Sequence, residues 1–373
     1  MFANGQTVIQ LIEQLAPKHI AMENDKIGLQ LGTLQKVISK ALVALDVTDE
    51  VVDEAIALGA ELIIAHHAII YRPLAKLDTS TPAGKLYEKL IKNDIAVYIA
   101  HTNLDVADGG INDWMADMLG LPAEGRSSLE DVHTDKLYKL VVFVPKSHHE
   151  QVLQALWNAG AGDIGGYSQC SFNIEGIGTF LPGNSAQPFI GEQGKLERVQ
   201  EIRIETIVPS SVHRKVVQAM LKAHPYEEVA YDLYPVDLKG RVFGLGRVGK
   251  LPASMKLREL AEKAKEAFEV PALRVVGDLD RDVRKVAVLG GSGSRYVSRA
   301  IFAGADVLVT GDIDYHTAHD AAMAGLSIID PGHNIEKLMK PRVADWLRRE
   351  LQQRKYATEA ISSQVETEPF HFL

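Results

Sequence analysis

The stretch Gly59-Ala60-Glu61-Leu62-Ile63-Ile64-Ala65-His66-His67 decides how this chain is read. Residues 61–64 are a short apolar run that reads as a buried strand. Two imidazoles follow at its end, where a parallel sheet presents its functional groups. Side chains alternate along a strand, so both rings can aim at one site only if the chain turns there. The pair reads either as metal ligands or as two ordinary histidines at a loop mouth.

Working outward, Ala41-Leu42-Val43-Ala44-Leu45-Asp46-Val47 is a second buried strand. Thr48 is placed to cap a helix from Asp49 to about Leu58, and Gly59 closes it. A helix around residues 84–93 leads to a third strand, Ile95-Ala96-Val97-Tyr98-Ile99-Ala100, which ends in His101-Thr102-Asn103-Leu104-Asp105. This alternation predicts an α/β fold with a parallel, doubly wound sheet. Val8, Ile9, Leu11, Ile12 and Leu15 are spaced for an amphipathic first helix that ends near Pro17.

The opening stretch has an echo. Gly304-Ala305-Asp306-Val307-Leu308-Val309 repeats its pattern and runs into Gly311-Asp312. A helix, a strand and a polar turn containing His333 and Glu336 follow, as they do in the first half. Residues 1–125 and 241–373 are therefore expected to be two half-domains of one sheet that bring polar residues to a common edge. Between them, Val144-Pro145-Lys146-Ser147 lines up with Val208-Pro209-Ser210-Ser211, each between a strand and a helix. The repeat predicts that residues 126–240 form an inserted ferredoxin-like α+β module. His148, His149 and His213 open its helices and are expected to face solvent. A long helix is expected from Glu336, and a polar, loosely held tail from Thr358. Residues 290–294, Gly-Gly-Ser-Gly-Ser, are either a phosphate cradle opening a helix or a simple tight turn.

The chain has 373 residues, 46% apolar and 24% charged, the composition of a globular protein of two or three domains. No apolar run is long enough to span a membrane. The net charge of −9 argues against a broad nucleic-acid surface. The first residues lack the features of a secretory signal, and the lone Cys170 fits a reducing compartment. A cytoplasmic protein is expected.

Four strand ends supply the chemistry: His66 and His67, His101 and Asp105, residues 312–316, and His333 with Glu336. Imidazoles with carboxylates suit Zn, Fe, Mn or Ni. The set is too large for one four-coordinate ion with an open position. It suits two ions about 3.5–4 Å apart, bridged by a carboxylate and a water. His333 and Glu336 share a helix face. His101 and His316 are candidate proton carriers or groups that orient the ligands. His319 is read as structural.

These motifs resemble the Nif-three-like family, also labelled GTP cyclohydrolase I type 2 homologues. The resemblance is carried by residues 24–32, 65–70, 100–105, 244–249, 309–316 and 331–336. The insert resembles the PII- or CutA-like module of longer bacterial members, with His224-Pro225-Tyr226-Glu227-Glu228 as a telling run. The resemblance implies a dinuclear metal centre with two divalent ions per subunit, held by His66, His67, Asp105, His333 and Glu336, with Glu336 as the bridge. It also implies a toroidal homohexamer with its metal sites facing an inner cavity. One departure is the loss of an aromatic residue near Asn24, at a position that is not a ligand. Two functions follow. One is a metal-dependent hydrolase acting on a nucleotide such as GTP or on a phosphoester. The other is a non-catalytic metal-binding or regulatory protein whose insert binds an effector or partner.

Overall fold

The computed structural model describes residues 1–372. Contacts divide the chain into two units, Met1–His133 with the chain from Phe243 onward, and Thr134–Val242. The strand Ser127–Thr134 falls within the expected insert 126–240 but sits at the edge of a sheet in the first unit.

The first unit contains a five-stranded sheet in the order Glu359–Ser362, Lys40–Ala44, Leu62–Ala65, Ala96–Ile99, Gly28–Leu31. The first four strands run parallel and the last is antiparallel. Leu62–Ala65 is fully buried because both faces of the sheet are covered. Leu62 and Ile64 join one apolar cluster, while Ile63 and Ala65 join the other. Each such aliphatic side chain contributes about 1.5–3 kcal/mol by leaving water. Thr48 caps the helix Asp49–Leu58 by accepting from the Val51 N–H, and Gly59 ends it at φ 68°.

The second sheet has six strands in the order Arg274–Val276, Ser327–Asp330, Val307–Gly311, Asp282–Ser292, Val242–Lys256, Ser127–Thr134. Its three parallel strands include the echo of the opening stretch, with Leu308 paired to Ile328 and Ala287. The two halves thus build two sheets and not one. The physical reason lies at the edges of the first sheet, which Gly28–Leu31 and Glu359–Ser362 already occupy.

The same strand overturns the expectation of a loose tail. Ala360 pairs with Ala41, and Thr358 and Ser363 are buried. Thr358 Oγ1 accepts from the Ala3 N–H and donates to the Ile38 carbonyl, both at 2.8 Å. The last helix also starts later than expected. Residues His333–Leu338 form a 3-10 turn, and the α-helix runs Met339–Gln353. Residues 290–292 are neither cradle nor turn, because the strand Asp282–Ser292 continues through them.

In the unit Thr134–Val242, helices His149–Ala159 and His213–Ala223 pack on a four-stranded antiparallel sheet. Its order is Tyr231–Val236, Leu137–Pro145, Glu197–Pro209, Ser171–Phe180. The unit has its own apolar core, built on Val142, Ile204, Leu156 and Val216.

Candidate metal centre

The opening strand stops at Ala65, and the chain then turns. The N–H groups of His66 and His67 both donate to the Leu45 carbonyl, at 3.2 and 3.0 Å. This breaks the alternation of side chains, so both rings face one site, 5.1 Å apart between centroids. The neighbouring strand end delivers His101 and, one helical turn later, Asp105 in the short helix Thr102–Val106. His333 and Glu336 enter on the 3-10 turn that follows Ser327–Asp330.

Each imidazole is held by Nδ1. That of His66 meets the Ala100 carbonyl at 2.8 Å, that of His67 meets Asp46 at 2.6 Å, that of His333 meets Asp312 at 2.7 Å, and that of His101 meets Asp25 at 2.8 Å. An Nδ1–H that donates outward leaves the Nε2 lone pair for a metal ion. The Nε2 atoms of His67 and His333 each lie 3.2 Å from Glu336 Oε2, and that of His66 lies 3.7 Å from it. His66 Nε2 is also 3.7 Å from Asp105 Oδ1. Two ligands 2.0–2.1 Å from one tetrahedral ion stand about 3.3 Å apart, so these spacings fit. His66 Nε2 and Asp105 Oδ1 are buried without a hydrogen-bond partner, an expense a bound cation would remove. Ligand atoms group within 4.8 Å as His66, Asp105, Glu336; as His67, His333, Glu336; and as His66, His67, His101. Glu336 belongs to the first two groups.

The electrostatics agree. Burial works against charge on Glu336, but His66, His333 and His67 hold its carboxyl well below the usual range. Burial, with Glu336 close by, pushes Asp105 up to about 6. Burial opposes charge on His67, yet hydrogen bonds to Asp46 and Glu336 raise it to about 10. The bond to Glu336 outweighs burial at His333 and, with Asp312, raises it to about 9. Protons on these rings thus stand where cations would otherwise balance the carboxylates.

Glycine makes the room. At Gly291, φ is 63°, and a Cβ there would lie 2.6 Å from Glu336 Oε1. At Gly290 the distance would be 3.2 Å. These residues, read from sequence as a loop of their own, are the wall of the site. Gly291→Ala is expected to cost about 1–3 kcal/mol in backbone strain and to displace Glu336. Thermal melting and metal content of the purified variant check this, and wild-type values in both would refute it.

The site brings together His66, His67, His101, Asp105, His333 and Glu336. It does not bring in His316, whose ring stands edge-on to Tyr315 at 5.6 Å in the helix Tyr315–Met323. Among the described residues, no side-chain hydrogen bond or ion pair ties His316 to the cluster. Asp46 and Asp25 were not singled out from sequence, although each stands at a strand end or in a motif that was. Asn112 was missed as well. It is fully buried, donates to the Asp105 carbonyl at 2.9 Å and accepts from the Gly290 N–H at 2.8 Å, so it ties the two halves together. Arg247 does the same work beside it, with two bonds to Asp113 and one to the Ala107 carbonyl.

These features define an α/β protein with a partly buried histidine–carboxylate cluster where the ends of two sheets meet. The chain belongs to the Duf34/NIF3 (NGG1p interacting factor 3) family, whose profile matches residues 3–369. A protein from Halalkalibacterium halodurans is 56% identical over 371 residues, covering 100% of this chain and 99% of its own. One from Bacillus subtilis is 53% identical over 370 residues, with 99% of each chain covered. Both carry the name GTP cyclohydrolase 1 type 2 homolog. A crystal structure of a Bacillus cereus protein related to NIF3 matches with a TM-score of 0.92 at 53% identity over 100% of both chains. A Staphylococcus aureus protein matches with a TM-score of 0.77 at 29% identity, over 100% of this chain and 99% of that one. Among the described residues, no helix is long and apolar enough to cross a membrane.

Proposed function

We propose that this protein binds two divalent ions per subunit through His66, His67, Asp105, His333 and Glu336, and hydrolyses a nucleotide-like substrate. Zn, Fe and Mn suit this donor set. The observation that carries the reading is the shared position of Glu336 between His66 with Asp105 and His67 with His333. Bound divalent ions supply Lewis acidity and lower the pKa of water near them. The chain's own part is to hold the reactants and move the proton. Asp25 fixes His101 through Nδ1, which leaves Nε2 to take a proton from the attacking water and return it to the leaving group. Asp46 and Asp312 fix the rings of His67 and His333. GTP is the named candidate substrate, on the strength of what the relatives are called; a phosphoester would use the same groups.

The test is turnover of GTP and a phosphodiester panel by metal-loaded protein against His67→Ala. Activity that depends on His67 is expected, and equal rates would refute hydrolysis at this site. A non-catalytic, regulatory reading is favoured by one observation, the separate core of the unit Thr134–Val242. Its mark would be a large loss of thermal stability on chelation with no turnover. The strand order of that unit supports reading it as a ferredoxin-like, PII/CutA-like module. A toroidal homohexamer and a cytoplasmic location complete the proposal, both taken from the family resemblance and the composition.

A further inference from the structure

The end of the chain returns to the histidine–carboxylate cluster as a strap, residues 363–367, that follows the strand Glu359–Ser362. Each residue of the strap is held. Ser363 Oγ donates to Glu54 Oε2, and the Gln364 N–H donates to Glu54 Oε1 at 2.8 Å. Val365 packs on the apolar cluster that contains Ile63 and Ala65, and its carbonyl accepts from Lys340 Nζ at 2.9 Å. Lys340 is buried, so its ammonium needs that carbonyl in place of water.

The last two residues of the strap grip the two segments that carry ligands. Glu366 Oε1 accepts from Asn334 Nδ2 at 3.2 Å, and its Oε2 lies 3.7 Å from Lys337 Nζ. Both partners sit on the 3-10 turn His333–Leu338, which also carries His333 and Glu336. Thr367 Oγ1 donates to Asp46 Oδ2 at 2.5 Å, and Asp46 Oδ1 meets His67 Nδ1 at 2.6 Å. Asp46, Thr367, His67 and His333 border one cavity. The neighbouring ring is supported differently. Asp25, which orients His101, accepts from the N–H and the hydroxyl of Thr102, the residue next to His101. That support is local and comes with the strand end. Asp46 draws the matching hydroxyl from a residue 321 positions away. A carboxylate with both oxygens bonded keeps one orientation, and the imidazole it holds keeps it too.

We propose that Glu366 and Thr367 form a clasp that fixes His67 and His333 around a shared ion, with Thr367 a positioning residue that sets the His67 ring through Asp46. This rests on the cluster being a metal centre and goes beyond it, because it makes the two ions depend unequally on the end of the chain. The ion between His67, His333 and Glu336 needs the clasp. The ion between His66, Asp105 and Glu336 does not. The His66 ring is held by the Ala100 carbonyl and the Asp105 backbone by Asn112. Among the described residues, no hydrogen bond or ion pair joins His66, Asp105 or Asn112 to the strap.

The test is titration of the metal-free full chain with Co²⁺, read by its visible absorption, in wild type, Thr367→Val and Thr367→Ser. Valine keeps the shape and removes the donor, whereas serine keeps the donor. Wild type and Thr367→Ser are expected to bind two ions with matching affinities. Thr367→Val should bind one ion as wild type does and the other about tenfold more weakly, the lower end of what the loss of an outer partner costs because Thr367 acts through Asp46. Its unfolding transition in chelator should stay close to that of wild type. Equal weakening of both ions would mark a general loosening and overturn the proposal. Unchanged affinities in Thr367→Val, or a Thr367→Ser variant as weak as the valine one, would overturn it as well. A wild type that takes up no metal would sink the metal centre and the clasp together, whereas two tight ions in both wild type and Thr367→Val would sink the clasp alone.

Discussion

Glu336→Gln is expected to emerge from gel filtration with almost no bound divalent metal, where the wild type keeps its full complement. The carboxylate is buried and lies within 3.2 Å of two imidazoles and 3.7 Å of a third. Its loss removes the one anionic ligand shared by both groups of donors. An amide keeps the shape and one acceptor oxygen but no charge. The metal-free variant should also melt early, because the imidazoles of His67 and His333 lose their common counter-charge. Removing one partner of a buried ion pair costs about 3–5 kcal/mol, and the lower end applies here because His333 is 41% exposed. For a unit of this size about 3 kcal/mol is a fall in Tm of roughly 6–12 °C. Elemental analysis and melting in chelator read the two effects separately. Full metal content in Glu336→Gln would remove the shared-carboxylate reading.

The second large effect is in protons. At neutral pH the metal-free site carries protons on His67, raised to about 10, and on His333, raised to about 9. A metal ion binds only the neutral ring, so its uptake should expel at least about two protons per site at pH 7, those of His67 and His333. Calorimetry in buffers of different ionisation enthalpy counts them, and a count near zero would refute this protonation state. The sign for stability follows. An imidazole raised on folding above its ordinary value of 6.5 stabilises the fold fully below that pH and loses the contribution as pH climbs through 9 and 10. Glu336, depressed on folding, contributes above its ordinary range and loses that as pH falls toward its folded value. Chelated protein should therefore lose stability from about pH 7 to 10. Metal-loaded protein, whose rings are neutral, should instead gain stability as pH rises through about 6.5, where the unfolded chain's imidazoles lose their protons, and hold it above pH 7.

Much of this was legible in order along the chain. The strands before His66 and His101, the Thr48 cap, the Gly59 stop and the echo at 304–309 rest on short-range rules of periodicity and capping. Those rules act over one or two turns, so a local sequence carries them. The family motifs added the ligand set, and each of those residues reached the cluster. The failures share a cause. Residues 358–363 are polar enough for a loose end, yet a strand needs only a free edge, and sequence does not show which edge is free. The glycines at 290 and 291 resembled a phosphate loop because the reason for them, the Glu336 carboxylate, lies far away along the chain. His316 looked equivalent to His101 by position after a strand, and only packing separated them.

The sequence by itself therefore determined most of the strands and helices around the site, where polar residues follow them, and which side chains are able to ligate a metal. Tertiary structure decided that two sheets form in place of one, that Asp25, Asp46 and Asp312 orient the rings, and that one carboxylate stands between two sets of candidate ligands. The division is physical. Local hydrogen bonding and apolar spacing are properties of neighbouring residues, whereas burial, orphaned lone pairs and shifted protons arise only when distant residues share a volume from which water is excluded.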